Sequence, residues 1–417
     1  MRQQLHGWSF LLVALIAATG FSADPPNVGW KASPQAIARA SQSKSTANFE
    51  ESHVGEYLLA DPLISADGKP VIRDSWPQRR AELLETFAEQ MFGRAPIGRP
   101  ANESFRVLEV DPHALDGQAT RKLIEISFDT PHSGRFAFPL QLYLPNAVKS
   151  PPPVALLLQF EGLTDPAAPL VIKRGWALAV LDRTKLAADD ANTFRDGVID
   201  AFSGNGPLAP DAWQAIAAWA WGASRALDYL ETDQDVDGRR VAVVGFSRLG
   251  KTALWAGAND ERFAAVISNE SGAGGAAISN RRFGETIEDL NVRFPHWFCQ
   301  NYRAYNGREG GLPFDQHELL ALVAPRPLYV GSADEDLWSD PRGEFLSCVA
   351  ASPVYELLGV PGLGADVMPP LETPVVKGRI GYHVRRGRHA LTDYDWNHYL
   401  DFLDQQFAPP STFESPD

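Results

Sequence analysis

Basic side chains are in short supply. Lys and Arg number 38 against 52 Asp and Glu, a formal charge of −14 over 417 residues. That balance excludes a nucleic-acid partner, which needs a basic face, and it excludes docking on an anionic membrane surface. It is silent on a neutral polysaccharide. Cysteine is scarcer: only Cys299 and Cys348 occur. Two cysteines cannot form a structural zinc site by themselves. Whether they bridge or stay as buried thiols is open from sequence. No metal and no organic cofactor is implied. Internal repeats and low-complexity tracts are lacking.

Long apolar runs are missing beyond the N-terminus, so no later segment is expected to cross a membrane. The one early run, "WSFLLVALIAATG", falls short of the ~20 residues a span needs. Arg2 precedes it, and small residues lie at Gly20 and Ala23. Residues 1–23 therefore read as a signal peptide, and the mature protein as secreted or periplasmic. Residues 24–53, rich in Ser, Ala, Pro and Asn, read as a linker or disordered arm. A single α/β domain is expected over 54–408, followed by a disordered tail over 409–417. The protein is expected to be a monomer.

What is present is ordinary globular material, 44% hydrophobic and 22% charged, enough for a sizeable core. "SWPQRRAELLETFAEQMFG" reads as a helix, with Ser75 as cap, Pro77 in the first turn and Gly93 as stop. "RKLIEISFDT" and "FAFPLQLYLP" alternate apolar and polar residues and read as two strands joined through "PHSGR". "VALLLQF", "GWALAVLD" and "VAVVGFS" are instead continuously apolar, as strands buried on both faces are. Strand-like and helix-like segments then alternate through "FAAVISNE", "FDQHELLALV", "RPLYVGSA", "GRIGYHV" and "DYDWNHYLDFLDQQF". This order predicts an α/β fold: a mostly parallel central sheet flanked by helices, a three-layer sandwich.

"VVGFSRLGK" is the stretch that carries chemistry. A buried strand ends in Gly245-Phe246-Ser247 and a helix follows at once, the strand-turn-helix corner that presents a nucleophilic serine. The usual G-x-S-x-G pattern is displaced, with Leu249 where glycine belongs and Gly250 one place later. A serine needs a base. His389, in the loop "RRGRHALTD" between the last strand and the last helix, is where this fold order puts one. His383 lies inside a strand and His398 inside a helix; His296 and His317 read as structural or rim residues. For the acid, position favours Asp336 or Asp334 after "RPLYVGSA" over Glu270 at the end of "FAAVISNE".

"GFSRLGKTALWAGA", "SNESGAGGAAISNRRFGET", "FPHWFC", "LPFDQHELLALVAPRPLYV" and "DLWSDPRGEF" together resemble the glucuronoyl esterases, carbohydrate esterase family 15. The similarity runs from about Asp61 to Phe407 and is densest after Val241. It implies an α/β-hydrolase fold. It also implies cleavage of the ester between (4-O-methyl-)glucuronic acid on xylan and a lignin alcohol. It further implies Ser247 as nucleophile, His389 as base and Glu270 as acid, which reverses the positional preference, with Asp336 assisting or sharing the role. Arg248 resembles the residue that stabilises the oxyanion; Lys251, Glu285 and Trp338 resemble those that hold the uronate. Fungal members carry a bridged cysteine before the serine; Phe246 stands there, as in the bacterial branch. The 57 positions from Glu270 to Pro327 (327 − 270) must hold an insertion, around 271–326, over the active face. Two rivals remain: an acetyl xylan esterase or other carboxylesterase, and a non-catalytic carbohydrate-binding protein.

Overall fold

The computed structural model describes residues 29–43 and 46–408. The segments read as signal peptide (1–23) and tail (409–417) lie outside the described residues. Nine strands form one sheet in the order β1-β2-β3-β5-β4-β6-β7-β8-β9. Their ranges are β1 (Ser104–Ala114), β2 (Ala119–Thr130), β3 (Gly134–Pro145), β4 (Val154–Gln159), β5 (Ala177–Asp182), β6 (Val241–Phe246), β7 (Ala265–Asn269), β8 (Leu328–Ala333) and β9 (Ile380–Arg385). From β5 to β9 all neighbours are parallel. The apolar runs belong to these parallel strands because both of their faces are covered. β2 and β3 pair from Ala119↔Pro145 to Thr130↔Gly134, as a hairpin closed through "PHSGR".

Among the described residues ten α-helices accompany the sheet: α1 (Pro34–Ser43), α2 (Trp76–Phe87), α3 (Ala168–Lys173), α4 (Val198–Ser203), α5 (Ala215–Leu230), α6 (Arg248–Asn259), α7 (Ile287–Arg293), α8 (Gln316–Ala321), α9 (Pro341–Leu357) and α10 (Asp393–Phe407). α10 packs Trp396, Tyr399 and Phe402 against one face with Val171 of α3, where Val180, Val244 and Ile267 point. The opposite face, with Leu156, Val243 and Val266, meets α2, α5, α6, α8 and α9. This is the expected three-layer sandwich. Every residue of α5 is buried, as a helix apolar all round must be.

Two expectations are corrected. Ser75 does not cap α2: its hydroxyl accepts from Ile72 N–H at 2.9 Å and stays in the preceding turn. The stretch read as a linker or disordered arm holds α1, and Ala36 and Phe49 are buried against Phe283 and Leu337. Small residues suffice there because the partner surface is supplied by the rest of the chain. Cys299 and Cys348 are two separate buried thiols. No helix among the described residues is long and apolar enough to cross a membrane.

Candidate active site

Ser247 stands between the end of β6 and the start of α6, with φ 58° and ψ −127°. A non-glycine residue held there is strained, and such strain clusters at functional corners. Its N–H is tied to Asn269 O at 2.9 Å, which locks the corner to β7. The displaced glycine has a steric reason. A Cβ on Gly250 would lie 2.9 Å from Ser271 Cβ and 3.1 Å from Ser268 Oγ, so the close approach to β7 falls at 250. Leu249 points the other way and is wholly buried.

His389 lies in the loop between β9 and α10 with its ring partly open to solvent. Its Nδ1 faces two carboxylates, Asp336 Oδ2 at 2.6 Å and Glu270 Oε2 at 3.1 Å. Phe246 packs on the imidazole with ring centroids 4.5 Å apart, which brings the base beside the residue that precedes Ser247. Burial pushes Glu270 up to about 8. Burial also works against charge on Asp336, but its hydrogen bond and attraction to His389 prevail and hold it below the usual range. For His389 the two carboxylates likewise outweigh burial and raise the imidazole. Asp334 faces elsewhere: it accepts Gly387 N–H at 2.8 Å. Glu270, Asp336 and His389 place ligand-type atoms within 4.8 Å of one another. A guanidinium, Arg385, already sits against Glu270 there.

Arg248 opens α6 and turns into an aromatic cage, 4.7 Å from the Trp297 ring and 5.3 Å from that of Phe294. Its charge partner is Asp189. Asp189 also accepts from Trp297 Nε1 at 2.6 Å, meets His296 Nε2 at 2.8 Å, and faces Arg183 at 3.2 Å. Burial opposes charge on Asp189, but these donors outweigh it and hold the carboxyl well below its usual range. Sequence reading missed this carboxylate; "AADDANT" carries no motif that separates Asp189 from its exposed neighbour Asp190. His296 belongs to this arrangement. His317, by contrast, bonds Ala60 O at 2.7 Å.

Lys251, Glu285 and Trp338 come together. Lys251 Nζ donates to Ser271 O and lies 3.8 Å from Glu285 Oε2. Trp338 Nε1 donates to Glu285 Oε1 at 2.9 Å, so its N–H is engaged by protein, and the Arg293 guanidinium lies 5.3 Å from its ring. Burial pulls Lys251 down and pushes Glu285 up, each opposed by the other's charge. Beneath them lies Glu344, wholly buried and also missed from sequence. It accepts Gly272 N–H at 2.9 Å and meets Ser332 Oγ at 2.6 Å. Burial pushes it up to about 8.

A nucleophile corner, an imidazole backed by carboxylates, and an arginine at the helix start form an arrangement suited to acyl transfer. Residues 130–359 match the family model described as glucuronyl esterase, fungi. The chain is 40% identical over 403 residues to carbohydrate esterase MZ0003 from an unknown prokaryotic organism, covering 87% of this chain and 92% of that protein. It is 30% identical over 338 residues to a 4-O-methyl-glucuronoyl methylesterase of Phanerochaete carnosa, covering 79% of each. A solved glucuronoyl esterase from Solibacter usitatus superposes with a TM-score of 0.80 at 43% identity, over 86% of this chain and all of that one. One from Teredinibacter turnerae does so at 0.78 and 28%, over 90% and 99%. The chain belongs to the glucuronoyl esterases of carbohydrate esterase family 15, and it is a carboxylic ester hydrolase.

Proposed function

We propose that the protein cleaves the ester between (4-O-methyl-)glucuronic acid of glucuronoxylan and a lignin alcohol, and that it does so outside the cytoplasm. Ser247 Oγ attacks the ester carbonyl while His389 takes its proton. Glu270 and Asp336 orient the imidazole and stabilise its charged form. Arg248 and the first amides of α6 face the oxyanion, a kind of stabilisation worth about 3 kcal/mol per donor. His389 then protonates the departing alcohol. An acyl-enzyme remains, and water, activated by the same imidazole, releases the uronate. The export reading rests on the apolar leader after Arg2.

The observation that carries the substrate class is the Lys251–Glu285–Trp338 cluster. A buried cation, a carboxylate able to accept two sugar hydroxyls, and an indole face fit a uronate ring. An acetyl group needs none of them. The test compares a benzyl glucuronate, the same galacturonate ester and acetylated xylan. Turnover of the glucuronate ester, abolished by Ser247→Ala, is expected. Activity confined to acetyl esters defeats the reading.

A further inference from the structure

One buried cation near the base is not used by that mechanism. Arg385 closes β9 and is 3% exposed. Its Nε donates to both oxygens of Asp395, at 3.0 and 2.8 Å. Nη1 donates to Arg386 O at 3.1 Å. Nη2 reaches Arg388 O at 3.1 Å and Ala390 O at 2.5 Å, and pairs with Glu270 Oε1. Three carbonyls of the short loop that carries His389 thus converge on one guanidinium, two of them flanking His389 itself.

The far side of the clamp is equally defined. Asp395, in the first turn of α10, accepts Thr392 N–H at 2.7 Å and lies 2.9 Å from His383 Nε2. Glu270 Oε2 accepts Ala390 N–H at 3.2 Å, so the residue after His389 is held at both its N–H and its C=O. Asn269 Nδ2 adds a second donor to Ala390 O at 3.0 Å. A guanidinium suits this place because it is planar, permanently charged and offers five donors in a fixed fork. Lysine's three donors radiate from one nitrogen on a flexible stem and cannot span partners spread along a rigid fork.

We infer that Arg385 is the positioning residue for the general base: it clamps the His389 loop and presses it against Glu270. This inference rests on the reading of His389 as the base. Arg385 touches neither Lys251 nor Glu285, so its loss acts on the chemical step and not on sugar binding.

Two variants and a double-mutant cycle test it, on the full chain with a benzyl glucuronate. Arg385→Met is expected to lower kcat about 30-fold with KM within about twofold, since a well-placed base supplies about 10²–10⁴ in rate. Combined with Glu270→Gln it is expected to do no more harm than the worse single change, because the two act as one unit. Arg385→Lys is expected to recover part of the loss. Unchanged kcat, or losses that multiply with Glu270→Gln, overturns the inference. Should Arg385→Met not fold, the Lys variant carries the same cycle, and multiplying losses there overturn it too. His389→Ala separates the two levels: wild-type turnover in that variant defeats the mechanism itself, not the clamp alone.

Discussion

Two carboxylates converge on one nitrogen of His389, and either can orient it. Asp336 makes the shorter contact, 2.6 Å against 3.1 Å, and is the one held in its charged form. Asp336→Asn and Glu270→Gln are each expected to cost about tenfold in kcat, and the pair together about 10⁴-fold, as in a triad whose acid is lost. The sign of a pH effect follows as well. Asp336 stabilises the imidazolium, so removing its charge lowers the His389 pKa. The acidic limb of kcat/KM in Asp336→Asn is expected to move to lower pH by about one unit. Against burial, the two carboxylates push His389 up to about 10, so a limb that stays in place, read from kcat/KM between pH 6 and 11, rules Asp336 out as a charge partner. Ser247 and His389 were legible in the sequence because each sits at a fixed place in the strand order. Asp189, Arg385 and Glu344 were not. Their importance comes from long-range partners, such as the 115 positions between Arg385 and Glu270, and no local pattern marks those.

At the scale of elements, the corner at Ser247 shows why a motif is a shape and not a string. Close packing on β7 demands a glycine at 250, while 249 faces the helical layer and needs bulk. Restoring the usual pattern with Leu249→Gly is therefore expected to do harm. It opens a cavity and places glycine in a helix, together costing about 3–5 kcal/mol. Thermal unfolding followed by calorimetry checks this; a melting temperature equal to that of the parent chain contradicts it. The parallel strands were readable because burial on both faces writes a continuous apolar run. β1 was missed for the opposite reason: it is an edge strand, exposed along most of its length and carrying Pro112. α9 was missed because Pro353 interrupts its pattern, although Asp340 caps its start by accepting Gly343 N–H at 2.9 Å.

Across the whole molecule, the N-terminal segment braces one wall of the Lys251–Glu285–Trp338 cluster proposed to hold the sugar. Phe49 meets Phe283 edge-on at 6.2 Å and Trp338 at 6.4 Å. Asn48 O accepts Gly284 N–H at 2.8 Å, one residue before Glu285. Glu51 takes both of its bonds from Arg281 at 2.8 Å, and Arg281 also reaches Asp340 at the start of α9. The segment was read as an arm because its own composition cannot form a core, and it does not: it borrows one. Of the groups proposed for catalysis, Ser247, Glu270 and His389 draw on other supports, at the ends of β6, β7 and β9, whereas Asp336 directly precedes Leu337 of this packed cluster. Phe49→Ala is therefore expected to act on binding. It should raise KM for a benzyl glucuronate about fivefold while kcat stays within about twofold, and cost about 1–3 kcal/mol of stability. Steady-state kinetics and a thermal melt on the same preparation separate the two. A lowered melt with unchanged KM would make the segment a strap only, whereas raised KM ties Phe49 and its neighbours to recognition of the sugar.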